Sequence, residues 1–187
     1  MDYKTLEVKR EGSVLWLTLN RPHALNALSS QLVDEYEDFL HKLPADHETR
    51  VVILRGAGRA FCAGLDLKEQ NRGGTGIGSS TIGSFESQRR MSNLTVMMRR
   101  APQALIAAVR GPAAGGGFAL ALACDVRIAG ESARFNAAFI RIGLTACDAG
   151  GLEAVIAMED RQQILVAQTG DMREGVGAFL EKRKPTY

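Results

Sequence analysis

The amino-acid sequence predicts an α/β protein, because short apolar strands alternate along the chain with amphipathic helical segments. Two strand patterns, LEVKR at 6–10 and VLWLTLN at 14–20, stand next to each other near the start of the chain. The runs 51–55 and 104–109 are continuously apolar, which is typical of parallel strands buried on both faces. Together these patterns predict a sheet with parallel strands and covering helices.

The remaining elements are predicted in chain order from turn and helix patterns. Glu11-Gly12 is typical of a hairpin turn, and Pro22 ends the second strand because proline cannot donate to a sheet. A helix is expected over 31–43, with a serine N-cap before it and apolar residues along one side. The glycine- and serine-rich segment 70–84 has no apolar period and predicts a surface loop. The other expected elements are helices at 86–100, 118–123, 152–168 and 171–182, and a strand at 126–129.

The composition narrows the class of protein. With 187 residues, 45% apolar residues and a net charge of +2, the chain is typical of a globular protein and offers no basic surface for nucleic acid. Its longest weakly charged stretch, 111–124, is too short to span a membrane. The N-terminal segment has no apolar core like that of a signal peptide. Three cysteines without a CxxC pair argue against disulfides and zinc, so we expect reduced thiols, no metal site and a cytoplasmic location.

Two junctions at which a strand runs into glycine-rich sequence carry the functional argument. The first is VVILRGAGRAFCAGLDLK (51–68) and the second is AAVRGPAAGGGFALALACD (107–125). Such turns leave backbone N–H groups without partners, and glycine allows a ligand to approach them closely. A helix that begins there adds about half a positive charge. These junctions therefore predict a site for an oxygen that gains negative charge.

Nucleotide binding is a poor fit to the same glycines. Gly56 and Gly58 follow a strand, as in a dinucleotide-binding turn, but the third glycine of that fingerprint would fall at Phe61. The triplet Gly115–Gly117 is not followed by the Gly-Lys-Ser/Thr of a phosphate-binding loop. A dinucleotide-dependent oxidoreductase is accordingly disfavoured.

The combined motifs resemble the crotonase, or enoyl-CoA hydratase/isomerase, superfamily. They are LNRPHALNAL (19–28), GAGRAFCAGLDL (56–67), AAVRGPAAGGGFALALACDVRIA (107–129) and GDMREGVGAFLEKRKP (170–185), in the order of that family. The resemblance implies a crotonase-like spiral of ββα units followed by C-terminal helices. It also implies a homotrimer or hexamer, an acyl-CoA thioester substrate, and no cofactor beyond the coenzyme A of that substrate.

The resemblance also implies roles for individual residues. The N–H groups of Leu65 and Gly116 would form the oxyanion hole. Ala24, Leu25, Ala63, Asp66 and Leu67 would line the adenine and pantetheine of coenzyme A, and Phe179 and Lys182 of the last helix would close over it. An alternative for Phe179 is simple core packing.

The chain departs from the hydratase pattern at both glutamates that handle water. Those positions correspond to Ala119 and Phe139, neither of which can transfer a proton. Since a positioned acid or base contributes about 10²–10⁴-fold, efficient hydration is not expected. Asp148 is the best remaining catalytic candidate, because some isomerases and dehalogenases of the family use an aspartate near this place. Its alternative role is a helix N-cap.

A second departure concerns length. The resemblance predicts a spiral core over 1–151 and a C-terminal helical trimerisation segment over 152–187. Between them, a helical stretch of roughly 70–80 residues, about half a typical domain, is missing relative to the family pattern. Either the chain has a deletion between Gly151 and Leu152 or residues are omitted there. We favour an omission, because a deletion would leave the active-site walls open.

The sequence therefore predicts an enzyme of acyl-CoA metabolism that stabilises an enolate or oxyanion, and isomerisation fits a single aspartate better than hydration does. The alternative is a catalytically poor family member that binds acyl-CoA. The acyl group itself is not predicted.

Overall fold

The computed structural model describes residues 2–70, 81–138, 156 and 164–186. Within these ranges the described strands are β1 (Leu6–Glu11), β2 (Val14–Leu19), β3 (Val51–Gly56), β4 (Ala104–Val109), β5 (Pro112–Ala114), β6 (Val126–Ala129) and β7 (Arg134–Asn136). The described helices are α1 (Ser30–Lys42), α2 (Leu67–Gln70), α3 (Thr81–Arg100), α4 (Gly116–Ala123) and α5 (Gly170–Glu181). This alternation confirms the predicted α/β class.

The main sheet has five strands in the order β1-β2-β3-β4-β6. β1 and β2 form the predicted hairpin around Gly12, whose positive φ of 60° suits glycine, and every other neighbouring pair is parallel. The central strands β3 and β4 alternate buried and half-buried residues. β6 lies at the edge, and Ile128 is 60% exposed there.

Helix α1 begins as its sequence predicts. The Ser29 hydroxyl accepts a hydrogen bond from the backbone N–H of Leu32 at 3.2 Å, which satisfies one of the donors left free at a helix start. The buried face of the helix includes Tyr36, which is fully enclosed. The hydroxyl of Tyr36 donates to the Sδ atom of Met98 in α3 at 3.2 Å. This contact ties α1 to the C-terminal half of α3.

Helix α3 starts earlier than the sequence predicts. The predicted loop over 70–84 is wrong for Gln70, which lies in α2, and for residues 81–84, which lie in α3. Helix formation is cooperative, so a helix nucleated where the pattern is strong extends into neighbouring residues of low propensity. Here the strong part contains Leu94 and Met98, whose side chains are almost completely buried.

The chain divides into two compact units. The first unit contains Met1–Leu65 and Leu94–Asn136, and the second contains Asp66–Asn93 and Ala137–Tyr187. The predicted boundary between 151 and 152, and the missing stretch expected there, lie outside the described residues. The predicted division into a core and a trimerisation segment stays a prediction.

Candidate active site

A second layer of short extended segments lies at the ends of the main strands in the first unit. β5 and β7 pair in parallel, Cys62 bridges to Ala113 of β5, and Leu65 bridges to Leu28. Each segment directly follows a strand of the main sheet or the turn after it. This layer brings both glycine-rich junctions and the motif at 19–28 into one region.

The N–H group of Leu65 points away from the segment that ends at Leu28. The carbonyl oxygen of Gly64 accepts a hydrogen bond from the N–H of Leu28 at 2.7 Å. Because the peptide bond between Gly64 and Leu65 is trans, the Leu65 N–H points opposite to that carbonyl. Among the described residues the recorded backbone hydrogen bonds include none donated by Leu65, which is half-buried.

The N–H group of Gly116 is oriented in the same way by helix α4. The Gly115 carbonyl accepts hydrogen bonds from Phe118 and Ala119 at 2.9 and 3.0 Å, so it points along the helix. The Gly116 N–H, in the same peptide unit, points out of the helix start. The backbone hydrogen bonds recorded for the described residues include none donated by Gly116. The positive end of the helix dipole lies at this position.

The two junctions approach each other too closely for a side chain between them. Gly64 has a φ of 92°, and a Cβ atom there would lie 2.7 Å from the Ala114 carbonyl oxygen and 3.3 Å from the Gly116 nitrogen. Adding standard bond lengths to the latter distance places the Leu65 and Gly116 nitrogens within about 8 Å of each other. Glycine at 64 is therefore required both by backbone conformation and by space.

Helix α4 is seated directly on Cys62. A Cβ atom at Gly117 would lie 2.2 Å from the carbonyl oxygen of Cys62 and 2.6 Å from its Cβ atom. That carbonyl accepts a hydrogen bond from the Ala114 N–H at 3.0 Å. Burial raises the pKa of the Cys62 thiol to about 12, so the side chain stays protonated at neutral pH. Cys62 is a free, buried thiol, and it serves as a packing surface for the helix start.

Asn26 organises the motif at 19–28, a role that the sequence reasoning missed. Its side chain is completely buried and accepts a hydrogen bond from the Arg21 N–H at 2.8 Å. Its amide nitrogen donates to the carbonyl oxygens of Ala57 and Ala60, both at 2.9 Å. The residue has a φ of 56°, a conformation that asparagine tolerates better than most residues. The position of an asparagine between apolar residues was the one available hint.

The structure brings together three of the residues expected to line coenzyme A in the first unit. The N–H of Ala63 donates to the carbonyl oxygen of Leu25 at 3.0 Å. Ala24 immediately precedes Leu25 and ends a 3₁₀ turn, Pro22–Ala24. Leu25 has a φ of 52°, which reverses the chain direction before Asn26. These three expected contact residues therefore lie on adjoining backbone segments.

The other four expected contact residues lie in the second unit. Asp66 precedes α2, where its carbonyl oxygen and Oδ1 accept from the Glu69 N–H at 3.2 and 3.3 Å. Leu67 is the first residue of α2, which packs against α5. Phe179 of α5 is 58% exposed, so the alternative of core packing is wrong. Lys182 directly follows α5 and is exposed.

The positions that the family resemblance predicts to distinguish the reaction types are only partly described. Ala119 lies in the first turn of α4, three residues after Gly116, and its methyl group is half-buried. Phe139 and Asp148 lie outside the described residues, so the catalytic role of Asp148 stays a prediction.

Within the described ranges, no group of three His, Cys, Asp or Glu side chains is arranged to hold a metal ion. No helix among the described residues is long and apolar enough to cross a membrane.

Comparison with known proteins places this geometry in a family. A family model described as enoyl-CoA hydratase/isomerase matches residues 9–158. A probable enoyl-CoA hydratase of Mycobacterium leprae is 39% identical over 142 residues, covering 73% of this chain and 47% of that protein. The 1,2-epoxyphenylacetyl-CoA isomerase of Escherichia coli is 40% identical over 141 residues, covering 75% of this chain and 53% of the isomerase. The chain thus spans about half the length of these curated relatives.

A solved structure supports the same assignment at the level of the fold. The crystal structure of an enoyl-CoA hydratase from Mycobacterium avium subsp. paratuberculosis superimposes with a TM-score of 0.83, covering 100% of this chain and 99% of that one at 23% identity. The expected crotonase-like α/β fold is confirmed. The chain belongs to the enoyl-CoA hydratase/isomerase family.

Proposed function

We propose that the protein acts on a coenzyme A thioester and stabilises the negative charge that develops on the thioester oxygen. The N–H groups of Leu65 and Gly116 are the donors in this proposal. The observation that carries it is the orientation of these two groups: each belongs to a peptide unit whose carbonyl is bonded in the opposite direction. Both are left available on adjoining backbone turns.

The chemistry requires such a pair of donors. An α-proton leaves a thioester, or a nucleophile adds to it, when the carbonyl oxygen can accept charge. Removing one preorganised donor from an oxyanion hole costs about 10²–10³-fold in turnover. Backbone donors are held by the fold before substrate arrives, so they need no reorganisation during the reaction.

An isomerase-like reaction fits this chain better than hydration. Ala119 supplies no carboxylate beside the start of α4, and Phe139 supplies none at the second expected position. A reaction that moves a proton or rearranges the acyl group needs the oxyanion hole but not two water-handling glutamates. The isomerase named among the relatives is consistent with such a reaction.

Asp148 is the proposed proton-transferring or nucleophilic residue. Its carboxylate is the one that the family resemblance places near the acyl group. With Leu65 and Gly116 it completes the proposed catalytic set. Ala24, Leu25, Ala63, Asp66, Leu67, Phe179 and Lys182 are the proposed contacts to the coenzyme A part of the substrate.

The test separates carbonyl activation from product formation. Saturated, enoyl and dienoyl thioesters are incubated with the protein in D₂O, and deuterium at the α-carbon is measured by mass spectrometry. Aryl thioesters, which have no α-hydrogen, are assayed for product formation. We expect exchange at the α-carbon of at least one thioester, and isomerised product faster than hydrated product. Asp148→Asn is expected to slow exchange by at least about 10²-fold if the residue is the base.

The alternative function is an acyl-CoA-binding protein with little catalytic power, which Ala119 favours. Tight binding of acyl-CoA without exchange or turnover of any thioester would support that alternative. Absence of both binding and turnover would refute the proposed substrate class altogether. Assembly as a homotrimer or hexamer and a cytoplasmic location are further predictions, checked by light scattering and by cell fractionation.

A further inference from the structure

The turn that ends helix α5 holds a lysine in a conformation usually reserved for glycine. Lys182 has φ 56° and ψ 34°, and its N–H donates to the Phe179 carbonyl at 3.3 Å. The N–H of Arg183 donates to the Ala178 carbonyl at 3.0 Å. This pattern closes many helices, and glycine is the usual residue at the left-handed position because it has no Cβ atom. A lysine that occupies it must be held there by its surroundings.

Glu174 and Arg183 provide that hold. The Arg183 guanidinium makes two hydrogen bonds to the Glu174 carboxylate, of which Nη2 to Oε2 measures 2.7 Å, and its Nε donates to Glu181 at 2.6 Å. The Thr186 N–H donates to Oε1 of Glu174 at 2.7 Å. The carboxylate of Glu174 therefore binds the chain on the C-terminal side of Lys182 at two residues, Arg183 and Thr186.

The charge state of this clamp, the set Glu174, Arg183 and Thr186, is fixed near neutral pH. The hydrogen bonds from Arg183, together with that from the Thr186 N–H, lower the pKa of Glu174 to about 2. Paired carboxylate and guanidinium groups form a planar fork with two parallel bonds, which restricts orientation as well as distance. An isolated exposed ion pair adds little stability, so the clearest effect of the clamp is on the conformation of the turn.

The clamped turn exposes the aromatic ring of Phe179 and the ammonium group of Lys182. Phe179 is 58% exposed and lies one turn before Lys182, which is itself exposed. The guanidinium of Arg183 is already engaged with two carboxylates. Lys182 and Lys184 are the exposed cations beside this turn that are not recorded in an ion pair among the described residues, and Lys182 is the one in the left-handed position.

We propose that Glu174 and Arg183 are positioning residues, which hold Lys182 so that its ammonium group meets a phosphate of coenzyme A. This inference rests on the proposed function, since it requires a coenzyme A thioester as ligand. Coenzyme A carries its phosphates on the nucleotide part, whereas the pantetheine arm is neutral. The clamp consequently governs affinity for the nucleotide part and not for the acyl-pantetheine part.

The experiment is a double-mutant cycle on ligand binding. Dissociation constants for coenzyme A and for an acyl-pantetheine thioester are measured by calorimetry for the intact protein, Glu174→Gln, Lys182→Gly and the double variant. Lys182→Gly removes the ammonium and suits the left-handed conformation. Asp171→Asn removes a carboxylate from the start of the same helix and controls for net charge. Arg183→Lys keeps the charge but loses the forked geometry, and provides a second disruption if Glu174→Gln folds poorly.

We expect Glu174→Gln, Arg183→Lys and Lys182→Gly each to weaken coenzyme A binding about tenfold, with no change for the pantetheine thioester. The double variant should be no weaker than Lys182→Gly alone, because the clamp acts through Lys182. Losses that multiply, or clamp variants that bind coenzyme A within twofold of the intact protein, overturn the inference and leave the proposed function standing. An intact protein that binds neither ligand overturns both.

Discussion

The amide nitrogen of Asn26 donates a hydrogen bond to the carbonyl oxygen of Ala60 at 2.9 Å, across 34 positions of sequence. The bond joins the loop after β2 to the turn after β3, and both segments lead into the layer that carries Leu65. Because the Asn26 side chain is completely buried, no solvent replaces its bonds if they are lost.

We therefore expect Asn26→Ala to destabilise the protein by about 3 kcal/mol, since it leaves buried polar backbone groups unpaired. Asn26→Asp has the same shape but presents oxygen to both carbonyls, and it is expected to be at least as harmful. Urea unfolding measures both effects. Glu7→Gln, an exposed change on β1, serves as the comparison, and equal stabilities for all variants would contradict the role assigned to Asn26.

Gly117→Ala tests the seating of α4 on Cys62. The new Cβ atom would lie 2.2 Å from a backbone oxygen, and rotation of a side chain cannot relieve that clash. We expect the helix start to shift and any turnover to fall by about 10²-fold, the cost of misplacing a catalytic group by about 1 Å. Steady-state kinetics with the best thioester provides the measurement.

Gly130→Ala is the matched control for that substitution. A Cβ atom at Gly130 would lie 3.6 Å from its nearest neighbours, which is ordinary contact distance. Its turnover should stay close to that of the unchanged protein. If Gly117→Ala retained the same turnover as this control, the close approach at Cys62 would have no functional weight.

The hydroxyl of Tyr36 is predicted to contribute less to the stability of the protein than its ring does. Burial raises the pKa of Tyr36 above its ordinary range, so the group is neutral, and its hydrogen bond goes to the weak acceptor Met98 Sδ. Tyr36→Phe should cost less than about 1 kcal/mol, whereas Tyr36→Ala should cost about 3–5 kcal/mol through the cavity it leaves. Denaturant unfolding of the two variants distinguishes ring packing from hydrogen bonding, and equal losses would refute this division.

Asp46 makes part of the protein's folding stability depend on pH in the acid range. Its hydrogen bond with the Thr49 hydroxyl, supported by that with Arg10, lowers its pKa from 3.8 to about 2. Because the folded-state pKa is lower, the stabilisation is present above about pH 4 and is lost as the pH falls towards 2. Asp46→Asn should cost about 1 kcal/mol at pH 7, and the difference should shrink between pH 4 and pH 2.

Glu48→Gln provides the control for Asp46. The Glu48 side chain is 85% exposed, and its carboxylate lies 3.8 Å from Arg10. Thermal unfolding over the same pH range should give parallel curves for this variant and the unchanged protein. Parallel curves for Asp46→Asn as well would rule out the assigned linkage.

Local patterns predicted the strands and α1 because those elements carry their own information. The apolar strand pattern of β2 and the serine before α1 act within a few residues, and the structure confirms both the strand and the N-cap. The start of α3 was missed because residues 81–84 are poor helix formers that precede the strongly patterned part of the helix. The exposure of Ile128 could not be predicted either, because the sequence of an apolar strand does not show whether the strand lies at the centre or at the edge of a sheet.

The glycine-rich turns of the candidate site could be predicted from the sequence, but the contacts that these turns make could not. A strand followed by glycine predicts free N–H groups, and both Leu65 and Gly116 have the expected local setting. That Gly117 touches Cys62, or that Asn26 reaches Ala60, depends on partners remote in sequence. The pairing of Arg183 with Glu174 was likewise not predictable, because Arg183 stands between Lys182 and Lys184 and such a run of basic residues usually lies on a solvated surface.

The proposed donors at Leu65 and Gly116 are peptide groups, and their directions are set by hydrogen bonds of the main chain. Substitution of an acid or base residue around such a site therefore leaves the directions of the two N–H groups unchanged. In this chain, Ala119 lies in the first turn of α4 beside the proposed donor Gly116 and carries no acid or base. Variants that differ only in those side chains would accordingly differ in proton transfer and share the same two hydrogen-bond donors.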